Sequence, residues 1–441
     1  MNRERRAVFL AILIATLLFG SAAFWNGFPL LFHDSSNYIS DGFSGYFVAI
    51  RTVAYAVFVK VSSLSGNSLW NVLIAQNLVL SFLIWRMQTA VTGSRSLKLY
   101  LGACAATACV FGATWVQSQI SADAMTAISV LSFCLLLLPD KLSLLQRAAV
   151  LSAFALSTLS HLSHLAILGL AFTVLFGVRR LLPSGSGFRW KQAGSALASL
   201  LILASVLNAL SHGGFQPVSS YQPVLLGRLA NIGALDRLMS ERCPEKNYLF
   251  CLNWPKGGFS GKQLVWGADS PVRFTEGHHD NPQYAEMVWD AAKLSPFLIL
   301  KATVRDPWIQ LMRWKFGDRI DSYRDNSFMI KALHENFPDE LESFREARQQ
   351  RGELGFEIPN LLLAISLFLI PIALLSKRGS GLNSPGKQAF WIISTCVLAN
   401  SAVCGAISGP LDRYGARVIW LLPSVFFLSW VGQFFDSKYK S

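Results

Sequence analysis

Apolar residues fall in long unbroken runs near 7–24, 69–85, 99–116, 122–138, 147–160, 161–178, 192–211, 359–376, 388–407 and 418–434. Runs of this kind approach the ~20 residues an α-helix needs to cross a bilayer, and they lack the polar face of an amphipathic surface helix. The pattern predicts an all-α multi-pass membrane protein of about ten transmembrane helices, since only helices satisfy their own backbone groups in lipid. The neighbours 147–160 and 161–178 are short. They also admit one long helix or a re-entrant pair, and two spans keep the downstream topology consistent. Two longer polar stretches interrupt the pattern. The first, 25–68, includes a partly amphipathic segment from Arg51 to Val61; the second, 212–357, is long enough to fold as a small domain. Within it, Asp290–Arg305 and Asp339–Arg351 read as helical, the second being highly charged and expected to be solvated. The predicted organisation is an N-terminal transmembrane module at 1–211, a small, mainly helical outward-facing domain at 212–357, and a C-terminal transmembrane module at 358–441.

Charge fixes the orientation. Only 15% of the 441 residues are charged, below the roughly 25% of soluble domains. The net charge of +13 is spread over short connections, without a basic domain, so nucleic acid is not an expected partner. With the N-terminus inside, Arg3, Arg5, Arg6, Arg86, Arg95, Lys98, Lys141, Arg147, Arg179, Arg180, Arg189, Lys191, Lys377, Arg378, Lys387, Lys438 and Lys440 all fall on the cytoplasmic side. The short connections opposite hold Arg51, Lys60, Arg413 and Arg417. The positive-inside rule then selects N-in, C-in and an even number of spans, placing 212–357 outside. The first run, despite a Gly20-Ser21-Ala22-Ala23 stretch resembling a cleavage site, reads as an uncleaved anchor.

Five of the seven cysteines lie in apolar runs, whereas Cys243 and Cys251 sit in the outward stretch with seven residues between them. A disulfide in an oxidising compartment is the expectation; a zinc site would need His278 and His279 as well.

Four outward features carry candidate chemistry. Asp34, in Phe32-His33-Asp34-Ser35-Ser36-Asn37-Tyr38, is either a helix cap or a catalytic carboxylate. Asp123 opens the fourth span, where an acid favoured by the helix dipole reads as a cap when taken alone. His161 and His164 share one helical face; ordinary hydrogen bonds are the leading reading, with metal or phosphate contact as the other. Arg413 and Arg417, at i and i+4 beside Tyr414, suit a phosphate at the membrane face, whereas pairing with Asp412 would use only one of them. Motifs of P-loop, GxGxxG and Gly-x-Ser-x-Gly type are absent from the sequence.

An N-in multispan chain with Asp34 in a long first outward loop, Asp123 at the outward start of the fourth span and Arg413-Tyr414 before the last span resembles the GT-C superfamily of polyprenyl-phosphate-dependent glycosyltransferases. The resemblance implies that Asp34 acts as general base or metal ligand, that Asp123 is a second acid, and that Arg413 and Tyr414 contact the lipid phosphate. Arg417 and Arg51 join the candidate phosphate contacts, while His33, His161 and His164 are candidate substrate or metal contacts. A divalent cation, Mg or Mn, is an implied cofactor. Asp34 is not part of an acidic pair, and the Trp-Trp-Asp signature of oligosaccharyltransferases is absent. The expected reaction moves a sugar from a polyprenyl-phosphate donor to a glycan, lipid or protein at the outer face of a bacterial inner membrane, with the large loop in the periplasm. Trp254, Trp266, Trp289 and Trp308 are either acceptor platforms or domain core. The alternatives are an O-antigen-type polymerase or ligase using Arg228, Arg237, Arg242, Arg273 and Arg305, and a lipid-linked glycan transporter or flippase. The paucity of charge within the spans and the absence of an internal repeat favour an enzyme over a transporter.

Overall fold

The computed structural model describes residues 3–48, 51–139, 142–181, 187–218, 220–267, 270–274, 281–375 and 384–437. Lys141, His278, His279, Lys377, Arg378, Lys438 and Lys440, and the side chain of Arg273, lie outside the described residues. Among the described residues every regular element is a helix, apart from an isolated parallel bridge between Leu30 and Gln119. Five helices are long and apolar enough to cross a membrane: Leu69–Thr92, Trp190–His212, Glu357–Leu375, Ser384–Ile407 and Asp412–Gly432. Leu144–Leu159 and Leu162–Gly177 pass the same test together but meet at an angle of 118°. The protein is therefore a helical membrane protein.

Apolarity alone does not say which helix faces lipid. Met125–Leu137 is buried in protein along its whole length, whereas only 11% of the apolar window in Glu357–Leu375 is covered. A helix that is apolar all round is stable in either setting, so the distinction comes from packing. The inner layer consists of Leu69–Thr92 against Arg3–Phe19, Met125–Leu137, Ser384–Ile407 and the closing helix Leu421–Ser437. Ser68 caps Leu69–Thr92 through the Trp70 N–H, and Glu340 accepts from the Ser68 hydroxyl (2.5 Å) and the Leu69 N–H (3.0 Å). This carboxylate pins the 212–357 stretch onto the positive end of a helix.

The break between the two short runs has a local cause. His161 adopts extended dihedrals, φ −144° and ψ 136°, and its ring accepts the Ser163 N–H, so it caps the second helix while ending the first. A single straight helix is excluded, and the bend brings Thr52 to the Ser160 carbonyl (2.5 Å).

The 212–357 stretch has two parts with different cores. Residues from Leu226 to Ala291 enclose their own cluster, including Leu235, Leu238, Phe250, Leu264, Tyr284 and Met287, and contain the Cys243–Cys251 disulfide (Cα–Cα 5.5 Å). The later part joins the core of the membrane helices through Met329, Leu333, Phe337, Phe344 and Ala347. The charged segment expected to be solvated is thus wet on one side only: Phe344 and Gln349 are buried, and Gln349 binds the backbone of Leu31 and Asp321. A disulfide closing so short a loop contributes about 2–3 kcal/mol. Replacing Cys243 and Cys251 by serine should accelerate amide exchange across 226–291 and leave Met125–Leu137 protected, as read by hydrogen–deuterium exchange.

Candidate functional site

The 25–68 loop and the segment before Asp123 are locked together. Leu30 N–H donates to the Ser118 carbonyl and Ile120 N–H to the Leu30 carbonyl (both 2.9 Å), while the Ser35 hydroxyl donates to the Ile120 carbonyl (2.5 Å). From the other side, the turn Asp412–Ala416 lies directly on the backbone of Arg313 and Trp314. A β-carbon at Gly415 would collide with the Arg313 carbonyl, so a side chain there would push this turn away.

These constraints bring together residues up to 379 positions apart. Asp34 stands at the cap position of helix Ser35–Ser44 without a side-chain capping bond; its oxygens instead accept both ends of the Arg51 guanidinium, at 2.6 and 3.0 Å. Arg413 Nη1 bridges the two acids, 3.4 Å from Asp34 and 3.6 Å from Asp123. Arg417 Nη1 lies 2.6 Å from the other Asp123 oxygen. Its remaining donors go to Asn400 Oδ1 (2.9 and 3.2 Å) and Ser163 Oγ (3.0 Å), with Cys404 Sγ close by. Arg413 also donates to the Tyr414 hydroxyl (3.1 Å) and lies over the rings of Phe32 and Tyr414. Arg51 lies under the ring of Trp266, which comes from the 212–357 stretch. Two carboxylates thus face three guanidiniums, an excess of one positive charge.

The cluster forms part of the wall of a cleft of about 1480 Å³. Asp34, Arg51, His161, Arg413 and Tyr414 line it together with Arg228, Asp306, Tyr221 and Trp266. Arg417 does not line it: the side chain is fully buried with its donors spent, which corrects the expectation of a direct phosphate contact and makes it a support for Asp123. Asp123 likewise sits behind Arg413 rather than on the cleft wall. Asp412, the alternative partner of the arginines, accepts the Lys315 N–H instead. Burial raises the pKa of Asp34, but Arg51 and Arg413 outweigh it and hold the carboxyl below the ordinary carboxylate range, so it is an anion at neutral pH.

The histidines separate. His164 spends both ring nitrogens on Thr126 (2.9 Å) and the Ser157 carbonyl (2.7 Å), and so serves packing rather than ligand contact. His161 caps its helix and presents Nε2 to Asp123 at 3.9 Å, on the cleft side. His33 lines the cleft beside Asp34 and reaches Asp321 (3.4 Å). Among the described residues no group of three potential metal ligands occurs, and Asp34 and Asp123 are both occupied by guanidiniums. The donor set does not fit a resident divalent cation, because such an ion would sit among three positive charges.

Sequence reasoning missed Asn400, Ser163 and the buried pairing of Arg228 with Asp306 (2.5 Å). Asn400 had a signal, a polar amide inside an apolar run; the others acquire meaning only through contacts between distant segments. Of the tryptophans, Trp254 packs on the small core of 226–291, Trp266 borders the cleft, and Trp289 and Trp308 are exposed.

Asp41, about two turns beyond Asp34 in the helix Ser35–Ser44, is buried and accepts the Val48 N–H. Burial pushes its carboxyl up to about 6, against weaker lowering by that bond and by Arg51. A raised folded-state pKa means that the stability it contributes is present below the unfolded value near ~4 and lost as pH rises through about 6. Asp41→Asn should therefore stabilise the protein by roughly 1–3 kcal/mol at pH 7.5 and have little effect at pH 4, as measured by thermal unfolding in detergent.

Comparison of the chain with protein-family models, with curated proteins and with solved structures finds no match.

Proposed function

We propose that the protein is a membrane glycosyltransferase of GT-C type that moves a sugar from a polyprenyl-phosphate donor to a glycan, lipid or protein acceptor at the outer face of a bacterial inner membrane. The observation that carries this reading is the excess of guanidinium over carboxylate at a roomy cleft beside the ends of apolar helices. A lipid-linked donor keeps its chain in the bilayer and offers its phosphate at that level.

In this reading the donor phosphate takes over part of the hydrogen bonding of Arg413 and Arg51. Asp34 then loses stabilisation of its charged form, and its basicity rises when the donor is in place. It accepts the proton of the acceptor hydroxyl as the acceptor oxygen bonds to the anomeric carbon and the bond from that carbon to the phosphate oxygen breaks. Arg413 stabilises the negative charge left on the lipid phosphate. Asp123 holds Arg413 between the two acids, and Arg417, Asn400 and Ser163 hold Asp123.

The topology belongs to the same proposal. Ten spans are reached by adding Arg3–Phe19, Leu97–Val110, Ala122–Leu137 and both arms of the bent pair to the five long helices. Asp34, Arg51, Asp123, His161 and Arg413, all assigned outward by the charge rule, meet at one end, while Leu137 and Arg189, assigned inward, are hydrogen-bonded to each other (2.9 Å). Arg228 and Arg305, candidates for a polymerase, are both tied to Asp306, which leaves that alternative without free cations at those positions.

A diazirine-bearing prenyl monophosphate tests the binding half of the proposal. Protein in nanodiscs should be labelled within 403–414, with at least tenfold less capture in Arg413→Ala. Labelling spread over Glu357–Leu375 and unchanged by Arg413→Ala would contradict it.

A further inference from the structure

We infer that the cleft contains a second phosphoryl subsite centred on Arg319, so that the substrates together present two phosphoryl groups rather than one. The inference rests on the transferase reading and specifies its substrate class.

Most cleft arginines are already paired. Arg51, Arg413, Arg228 and Arg305 each have an aspartate partner. Arg319 also lines the cleft, yet among the described residues it has neither a carboxylate nor a hydrogen-bond partner. Arg313 lines it too and spends one donor on the Pro410 carbonyl (3.1 Å).

The backbone of Arg319 carries the second observation. Its φ is +61°, in the left-handed region that a long side chain occupies at a cost. A loop free to relax would not keep it, and this loop is fixed on both sides. The Phe316 ring packs against Gly112, where a β-carbon would collide with it, and Phe316 N–H donates to Asn360 (2.7 Å). Lys315 N–H donates to Asp412 (3.2 Å), and Asp318 accepts the N–H of Arg413 (3.1 Å). Asp321 is met by His33 and, at its carbonyl, by Gln349 (3.0 Å). Residues 318 and 321 are therefore anchored to Arg413 and to the neighbour of Asp34, and Arg319 lies between them. The two flanking acids face these anchors, so a strained arginine with an unspent fork is held next to the first phosphate position. A guanidinium with free donors recognises a phosphoryl group through paired N–H bonds.

The second phosphoryl group comes from a diphosphate carrier or from a phosphorylated acceptor, and titration of full-length protein in nanodiscs separates the two. In the first arm, geranyl monophosphate and geranyl diphosphate are compared. A diphosphate carrier predicts at least tenfold tighter binding of the diphosphate, with the preference abolished in Arg319→Ala and Arg319→Gly. In the second arm, glucose 6-phosphate is added at saturating monophosphate. A phosphorylated acceptor predicts binding that both variants lose at least tenfold.

Arg319→Gly accommodates the positive φ, so its melting temperature should equal or exceed that of wild type while binding is lost; a purely structural role would not separate the two. If neither arm distinguishes the variants from wild type while Arg413→Ala still weakens the monophosphate, the second subsite is refuted and the transferase reading stands. If Arg413→Ala leaves monophosphate binding unchanged, the transferase reading itself fails.

Discussion

Arg417→Ala is expected to destabilise the protein by about 3–5 kcal/mol, the cost of leaving a buried charge without its partner. The side chain is fully buried, and Asp123, 2.6 Å away, would keep only the longer contacts from Arg413 and His161. Asn400, Ser163 and Cys404 would lose a donor at the same time. An exposed pair would contribute ~1 kcal/mol or less, so the magnitude separates a scaffold from a surface contact. Removing both charges with Asp123→Leu and Arg417→Met should recover much of the loss, because burying two charges offsets most of their mutual attraction. Denaturation in mixed micelles, arranged as a double-mutant cycle, reads both numbers. A loss below about 1 kcal/mol for Arg417→Ala would mean that Asp123 is supported by other groups.

The second large effect concerns chemistry. Asp34→Asn should lower turnover by ~10²–10⁴, the range of a positioned general base, while donor affinity changes little because Arg51 and Arg413 remain. The pH dependence follows from the ion pair. The carboxyl of free Asp34 is held below the ordinary carboxylate value, so it stays charged until the pH falls through that lowered value. The acid limb of kcat/KM, which reports the free enzyme, should then lie below about pH 4. Bound phosphate draws the guanidiniums away and raises the carboxyl, so the acid limb of kcat should lie at higher pH. Coincident limbs, or an Asn variant with undiminished turnover, would remove Asp34 as the base.

Much of the fold was legible because it is written in one dimension. Lipid requires long apolar helices, so the class of fold followed from the apolar runs, and the disulfide at Cys243 and Cys251 from their spacing. Depth within the bundle was not legible. Met125–Leu137 and Glu357–Leu375 are similarly apolar yet occupy opposite environments, and only tertiary packing decides between them. The site divides in the same way. Asp34, Arg51, Asp123, Arg413 and Arg417 stood out as charges next to apolar runs, where an unpaired ion is costly. Which of them faces the cleft was hidden, because Arg413 and Arg417 differ by a single helical turn and one is buried. Arg319 carried no sequence signal, since its significance lies in a backbone angle and in the absence of a partner among the described residues.

The central claim is that the Asp34–Arg413 cluster consumes a lipid-linked sugar donor, and single-turnover transfer tests it most directly. Purified protein in nanodiscs would be given a panel of radiolabelled sugars on polyprenyl phosphate, with extracted envelope glycans and lipids as acceptors. The account predicts transfer from at least one donor, abolished in both Asp34→Asn and Arg413→Ala although both variants remain folded and inserted. Transfer that persists in both variants would contradict it, as would a protein that binds no donor in the panel.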